Sequence, residues 1–377
     1  MFLPRRLVGL LTLGICSATL ACSHKQSPQL DPESLLNVAR EYGRNGQPVS
    51  VVSAAGRPAG ETAPVASPAA AETEEQYVHD IRERLNEWDW DGLEKAVQEA
   101  RTSKARVLGG GWKLYMFYEA VGAPVSEHKI TDTDWANHLE VLKQWATAKP
   151  ESSAALIATA WAYVAYGGFA RCSGYADTVT ATGWKLYGER AAKASEFLVE
   201  AARLNEKCPF WYEAMQHVAH EQGWEKPQAR ELFDLALAYL PGYYHFYREY
   251  ANYLLPKWYG EEGDVQAFAE ETAARVGPPE GDIFYFDIGS TVACECDPDR
   301  NSLEGLSWPR LKQGYATLGE LYGISDLKAN RFALMAYLEK DQPAAQAAFE
   351  KIGPHWEPTV WTSKQDFDKA KSWATHP

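Results

Sequence analysis

His217 and His220 lie three residues apart, with Glu213 one turn earlier, so a helix would carry all three on one face. Two imidazoles and a carboxylate placed that way are a donor set for Zn or Fe. The spacing matches neither H-E-x-x-H nor E-x-x-H, and histidines beside Trp211 and Trp224 more often pack against aromatics or line a groove. Metal binding is therefore the third-ranked reading, and no cofactor is expected. Cys172, Cys208, Cys294 and Cys296 are the disulfide candidates, and in an oxidising compartment they can pair in three ways. A Cys172–Cys208 bridge would close a loop of 37 residues between successive helix pairs, worth about 3–4 kcal/mol on the chain-entropy account. Cys294 and Cys296 form a C-x-C without a thioredoxin-like setting, and the four cysteines lack the paired C-x2-C spacing of a zinc site.

Other chemistry-bearing patterns are thinner. Asp297, Asp299 and Asn301 begin like a calcium loop, but Ser302 stands at its sixth position and Trp308 at its twelfth, so Asx turns explain them better. Ser325-Asp326-Leu327-Lys328 is a lone S-x-x-K without K-T-G, and Ser325 suits a helix N-cap. Gly109-Gly110-Gly111-Trp112-Lys113 lacks Walker A spacing. No catalytic residue is proposed on these patterns. Between Arg171 and Thr178, Gly174 interrupts a helical run and gathers Arg171, Tyr175, Asp177 and Thr178 in a turn that can present polar groups to a groove. An Arg171–Asp177 ion pair that pins the turn is the first reading, and ligand binding the second. Tyr243, Tyr247 and Tyr250 form one helical stripe, and Trp258-Tyr259 follows. Most of this is core between repeats, with Tyr243, Tyr247 and Trp258 the candidates to line a concave surface and anchor a peptide.

The N-terminus reads as an address. Arg5 and Arg6 precede an apolar run from Leu7 to Leu20, too short to span a bilayer but right for a secretory signal. It ends in Thr19-Leu20-Ala21-Cys22, which resembles the bacterial lipobox. That resemblance implies a signal peptide over residues 1–21, cleavage before Cys22, a diacylglycerol thioether and an acyl chain (palmitate-type) on Cys22, and stable membrane attachment. Ser23 after the cysteine implies the outer membrane, with the protein facing the periplasm.

The rest of the chain must position these groups. It has 377 residues, 46% hydrophobic and 23% charged, with a net charge of −14. That balance supports a large core and argues against nucleic acid as a partner. Residues 22–72 are rich in Gly, Pro, Ala and Ser and read as a flexible tether with a typical reach of roughly 40 Å. Asp31-Pro32-Glu33 with Leu35, Leu36, Ala39 and Tyr42 marks one short capped helix inside it, which matters only if docked. From residue 73 to 377 the periodicity is helical, with helices expected near 134–148, 152–167, 184–204, 210–222, 227–239, 243–255, 264–276, 330–339 and 343–352. Val49–Val52 and Ile283–Ile288 are the only strand-like runs.

Cys208-Pro209-Phe210-Trp211-Tyr212 aligns with Leu240-Pro241-Gly242-Tyr243-Tyr244 at an offset of 32 residues. Ala229, Phe233, Ala236 and Pro241 lie between and across them in the A-x3-F-x2-A-x4-P spacing of a tetratricopeptide second helix. Ala345, Phe349 and Ile352 repeat part of it. Residues 75–377 also resemble an uncharacterised bacterial family with a tetratricopeptide-like domain of unknown function. The resemblance rests on Gly110-Gly111-Trp112-Lys113 with Phe117-Tyr118, on Ala170-Arg171-Cys172-Ser173-Gly174-Tyr175-Ala176, on Cys208–Tyr212 and on Leu254-Leu255-Pro256-Lys257-Trp258-Tyr259-Gly260. Gly usually follows the Arg in that pattern, and Cys172 departs from it. The expectation is an all-α, tetratricopeptide-like right-handed solenoid, lipid-anchored in the cell envelope, that binds a protein or peptide partner without catalysis. The alternatives are an envelope enzyme acting on a cell-wall polymer through the Arg171–Asp177 turn and the histidine pair, and a metal-binding lipoprotein.

Overall fold

The computed structural model describes residues 30–45, 72–126, 128–172, 176–295 and 303–376. The signal-peptide segment, Cys22, Tyr175, Cys296, the Asp297–Asn301 run and Val49–Val52 lie outside them, as does the side chain of Cys294. Among the described residues the chain is all-α, with sixteen α-helices and no strand.

Helix α1 is Pro32–Asn45, α2 Glu74–Asn86, α3 Trp90–Ser103, α4 Lys113–Val121 and α5 Asp132–Ala148. Then come α6 Ser153–Arg171, α7 Ala181–Arg203, α8 Phe210–Glu221, α9 Lys226–Tyr239, α10 Tyr244–Tyr253 and α11 Asp264–Val276. The last five are α12 Glu280–Glu295, α13 Trp308–Tyr322, α14 Asp326–Leu338, α15 Gln342–Ile352 and α16 Lys364–Thr375. Their starts follow from local chemistry. Thr73 and Gln76 make a reciprocal capping box for α2, Thr131 and Asp134 another for α5, and Ser152, Thr180, Ser325 and Ser363 accept N–H bonds at the starts of α6, α7, α14 and α16.

From α2 onward the even-numbered helices touch one another in sequence, α2 to α4 to α6 and so on to α16, and each odd-numbered helix packs on one or both of its neighbours in sequence. The even row is the deeper one. Helix α6 is buried without a break over its first half, from Ser153 to Ala162. It is long and apolar enough to cross a membrane by length and composition, yet 67% of that window lies inside the fold. Helix α12 holds Ile283–Ile288, so the strand-like run is helical; a helix apolar on all sides loses the 3.6-residue period and reads like a buried strand. In α9, Ala229 and Ala236 are buried, and Phe233 stacks on Tyr250 at 4.7 Å and meets Phe268 edge-on at 5.3 Å. Ala345, Phe349 and Ile352 are likewise buried in α15.

Two features tie distant parts together. Helix α1, within the expected tether, is docked on α7 and α9, so residues 32–45 belong to the folded body. Leu35, Leu36, Ala39 and Tyr42 are buried; Tyr42 stacks on Trp211 at 4.2 Å and its hydroxyl bridges the Cys208 backbone, accepting from N–H at 2.7 Å and donating to C=O at 3.1 Å. Tyr212 donates to Ala39 C=O at 2.8 Å, and Arg40 pairs with Glu231 at 2.6 Å. The second is the loop before α4. Gly109 N–H donates to Tyr322 C=O at 3.2 Å, bringing α13 and α14 back against the start of the array. Gly109 and Gly110 hold φ of +84° and +79°, and a Cβ on Gly110 would lie 3.1 Å from Leu318.

Candidate functional site

The polar interior is built where α8 and α10 face α4 and α6. Helix α8 presents Glu213, His217 and His220 one turn apart, as their spacing requires. Helix α10 answers with His245, Arg248 and Glu249, α4 with Tyr115 and Glu119, and α6 with Trp161.

Glu249 is the hub of one network. His217 Nε2 lies 3.0 Å from Glu249 Oε2, and His220 Nδ1 lies 3.2 Å from Oε1. Burial opposes the charge on Glu249, but the two imidazoles hold its carboxyl below the usual range. An ionised carboxylate only accepts, so both facing ring nitrogens carry the protons. Burial keeps His217 below its ordinary pKa despite the pull of Glu249. Glu213 centres a second network. Tyr243 donates to its Oε2 at 2.8 Å, His245 Nδ1 lies 3.7 Å from Oε1, and burial pushes its carboxyl well above the usual range. His245 is sandwiched between Tyr115 at 3.8 Å and Tyr244 at 4.0 Å, and burial, followed by the charges of Arg248, Arg106, Lys328 and Arg331, keeps it neutral. Glu119 accepts from Trp161 Nε1 at 3.1 Å and is pushed up to about 7 by burial. The charge of Arg248 acts on Glu119, Glu213, Glu249, His217 and His245 together. Tyr115, Glu119, His217 and Arg248 are half-buried and form the accessible edge of this interior.

Trp258 connects the histidines to the Arg171 turn. It meets His220 edge-on at 4.5 Å and lies under the Arg171 guanidinium at 4.8 Å, with Trp184 on another side of that group at 5.3 Å. Arg171 Nη1 also donates to Cys172 C=O at 3.0 Å, whereas Asp177 is exposed on a one-turn 3-10 helix, Ala176–Thr178. Arg171, Trp258 and His220 thus come together.

Three expectations need correction. Tyr243 and Tyr247 are 0% and 2% exposed, so neither can anchor a peptide. Their stripe turns inward, Tyr243 onto Glu213 and Tyr247 onto Phe233, Phe284 and the Pro241 carbonyl. Cys172 and Cys208 are both free thiols. Cys208 is fully buried, 3.5 Å from Tyr118 Oη, and burial raises its pKa, while Cys172 is exposed. The 23-residue α7 stands between them in the chain, a rod of about 34 Å. Finally, no group of three His, Cys, Asp or Glu among the described residues is arranged to hold a metal ion. His217 and His220 are instead taken up by Glu249.

Sequence reasoning missed Glu249, Arg248 and Glu119. The signal for the first and second was the Arg248-Glu249 dipeptide inside the aromatic helix Tyr244–Tyr253, where buried charge has to be paired, and for Glu119 a lone acid in the apolar helix Lys113–Val121. It also missed the buried Lys328–Asp287 pair between α14 and α12, in which burial, opposed by Asp287, brings Lys328 down to about 8. The chain matches no protein-family model, no curated protein and no solved structure.

Proposed function

We propose that this chain is a tetratricopeptide-like solenoid, lipid-anchored through Cys22 at the outer membrane and facing the periplasm, that binds a protein or peptide partner as an assembly module. The observation that carries the reading is α1: a groove of the helical array already receives an amphipathic helix from outside residues 73–377. The Ala229–Phe233–Ala236–Pro241 spacing and the succession of helix pairs support the solenoid, and the lipobox-like Leu20-Ala21-Cys22 supports the anchor. Resemblance to the uncharacterised bacterial family belongs to the same proposal. The acids and imidazoles of the interior are engaged with one another, which fixes the half-buried His217, Glu119 and Arg248 at its edge.

The test is capture of the tagged full-length chain from chemically crosslinked bacterial envelopes. A single protein retained in stoichiometric amount supports the reading, and movement of Cys22→Ala out of the membrane fraction supports the anchor. A second reading, an enzyme acting on a cell-wall polymer, is favoured by the meeting of Arg171, Trp258 and His220. Retention of glycan in place of protein, with polymer cleavage abolished by His220→Gln, would select it.

A further inference from the structure

Three successive valleys run along the outer face of the array, each between two odd-numbered helices and floored by the even-numbered helix between them. The α7–α9 valley, floored by α8, is filled by α1. The α9–α11 valley, floored by Tyr250 of α10 and by Leu254 just beyond its end, holds about 420 Å³ and is crossed by two ion pairs, Lys226–Asp264 at 2.5 Å and Arg230–Glu271 at 2.7 Å, which occupy its polar groups. The α5–α7 valley, floored by α6, holds about 510 Å³, and the ion pair that joins its two walls lies outside its lining. That volume lies in the range of ligand-receiving clefts, ~300–1,000 Å³.

The α5–α7 valley has the chemistry of the filled one. Leu139 of α5, Tyr163 of α6, and Phe197 of α7 with Leu204 just beyond its end line it half-buried, Leu156 forms its base, and Tyr163 stacks on Phe197 at 5.6 Å. Helix α5 is tied to α7 by Arg190–Asp132 at 3.3 Å, outside the apolar stretch. Of the rim lysines, Lys143 is paired with Glu140 on its own helix and Lys149 with Asp91. Glu200 stands exposed on the α7 wall. In the neighbouring valley α1 uses an apolar face at i, i+1, i+4 and i+7 (Leu35, Leu36, Ala39, Tyr42) and reaches Glu231 on the wall with Arg40.

We propose that the α5–α7 valley is the receptor for an amphipathic helix of a partner protein, one whose apolar face resembles that of α1 and is flanked by an Arg or Lys that meets Glu200. The proposal rests on the binding-module reading and gives it a location and a partner class.

The probe is a fluorescein-labelled peptide of residues 32–45 titrated into the full-length chain and followed by anisotropy. We expect saturable binding that Phe197→Asp and Glu200→Lys each weaken about tenfold, while Glu231→Gln, in the valley filled by α1, leaves it unchanged. If Phe197→Asp does not fold, as circular dichroism would show, Glu200→Lys and a peptide carrying Arg40→Glu supply the same contrast from exposed positions. Failure of the peptide to bind, or binding that responds to Glu231→Gln alone, overturns the assignment. Concentration-dependent dimerisation abolished by Glu200→Lys also overturns it, by giving the valley to a second copy. Envelope capture is read separately, so a module that binds elsewhere is told apart from a chain that binds nothing.

Discussion

At Glu249 a single carboxylate serves two imidazoles, so the consequences of removing it differ from those of removing either partner. Glu249→Ala strands the buried His220 N–H, frees the half-buried His217 ring and leaves a cavity, and is expected to lower stability by about 3–5 kcal/mol in urea unfolding. Glu249→Gln keeps the shape and one acceptor and should cost about 1–3 kcal/mol. Glu119 makes a pH prediction. Its folded pKa of about 7 stands above the ordinary 4.5. Its contribution is therefore full below about pH 4.5 and lost as pH rises through about 7, because ionising it in place is costly. His217 acts oppositely: its folded pKa is depressed, so its contribution is present above its ordinary 6.5 and lost as pH falls. Stability measured for the native chain and for Glu119→Gln at several pH values should show the native chain losing ground to the variant between about pH 5 and 8. Equal pH profiles would exclude a buried titrating Glu119. His217 and His220 were visible in the sequence; their partner was not, because it lies on another helix and helical spacing reports only the face a residue shares with its own turn.

At the scale of elements, legibility followed amphipathicity. Helices with one wet face, such as α9 and α11, were readable to within about a residue at each end, since a 3.6-residue stripe survives wherever one side meets water. Helix α12 was not, because Ile283, Phe284, Tyr285 and Phe286 are all buried and leave no polar phase to count. Helix α1 was legible as a capped amphipathic segment, but its docking was not, since Trp211 and Cys208 lie more than 160 residues away in the chain. The helix over α9 and the burial of Ala229, Phe233 and Ala236 within it were read correctly. Tyr42→Ala removes the ring stacked on Trp211 and both bonds to Cys208, a loss of about 3–5 kcal/mol. It should appear first as faster amide exchange throughout α1, with α13–α16 unchanged. Protection lost uniformly over the whole chain would contradict a separately docked α1.

For the whole molecule the decisive contact is the return of α13 and α14 to the loop before α4. Helical arrays in which each unit touches only its neighbours unravel from their ends and lose two-state behaviour. Here Gly109 and Gly110 press against Tyr322, Ser325 and Leu318, so the two halves share one boundary. Gly110→Ala puts a Cβ at positive φ and 3.1 Å from Leu318, a cost of about 1–3 kcal/mol. The expected result is a lower urea midpoint, with fluorescence and far-ultraviolet dichroism no longer coincident. Coincident curves at the native midpoint would refute the coupling. None of this was readable from local sequence, where the three glycines signalled only a loop.

The docking of α1 also fixes a length. With residues 22–72 free, the body would wander on a leash of some fifty residues. With α1 fastened, only the stretch from Cys22 to Pro32 would lie between the proposed lipid on that cysteine and the first fixed helix. Ten residues at full extension reach about 35 Å. Under the proposed anchor the protein would be a moored one: the α7–α9 side would ride near the bilayer surface, and what it could touch would be set by stand-off height as much as by affinity.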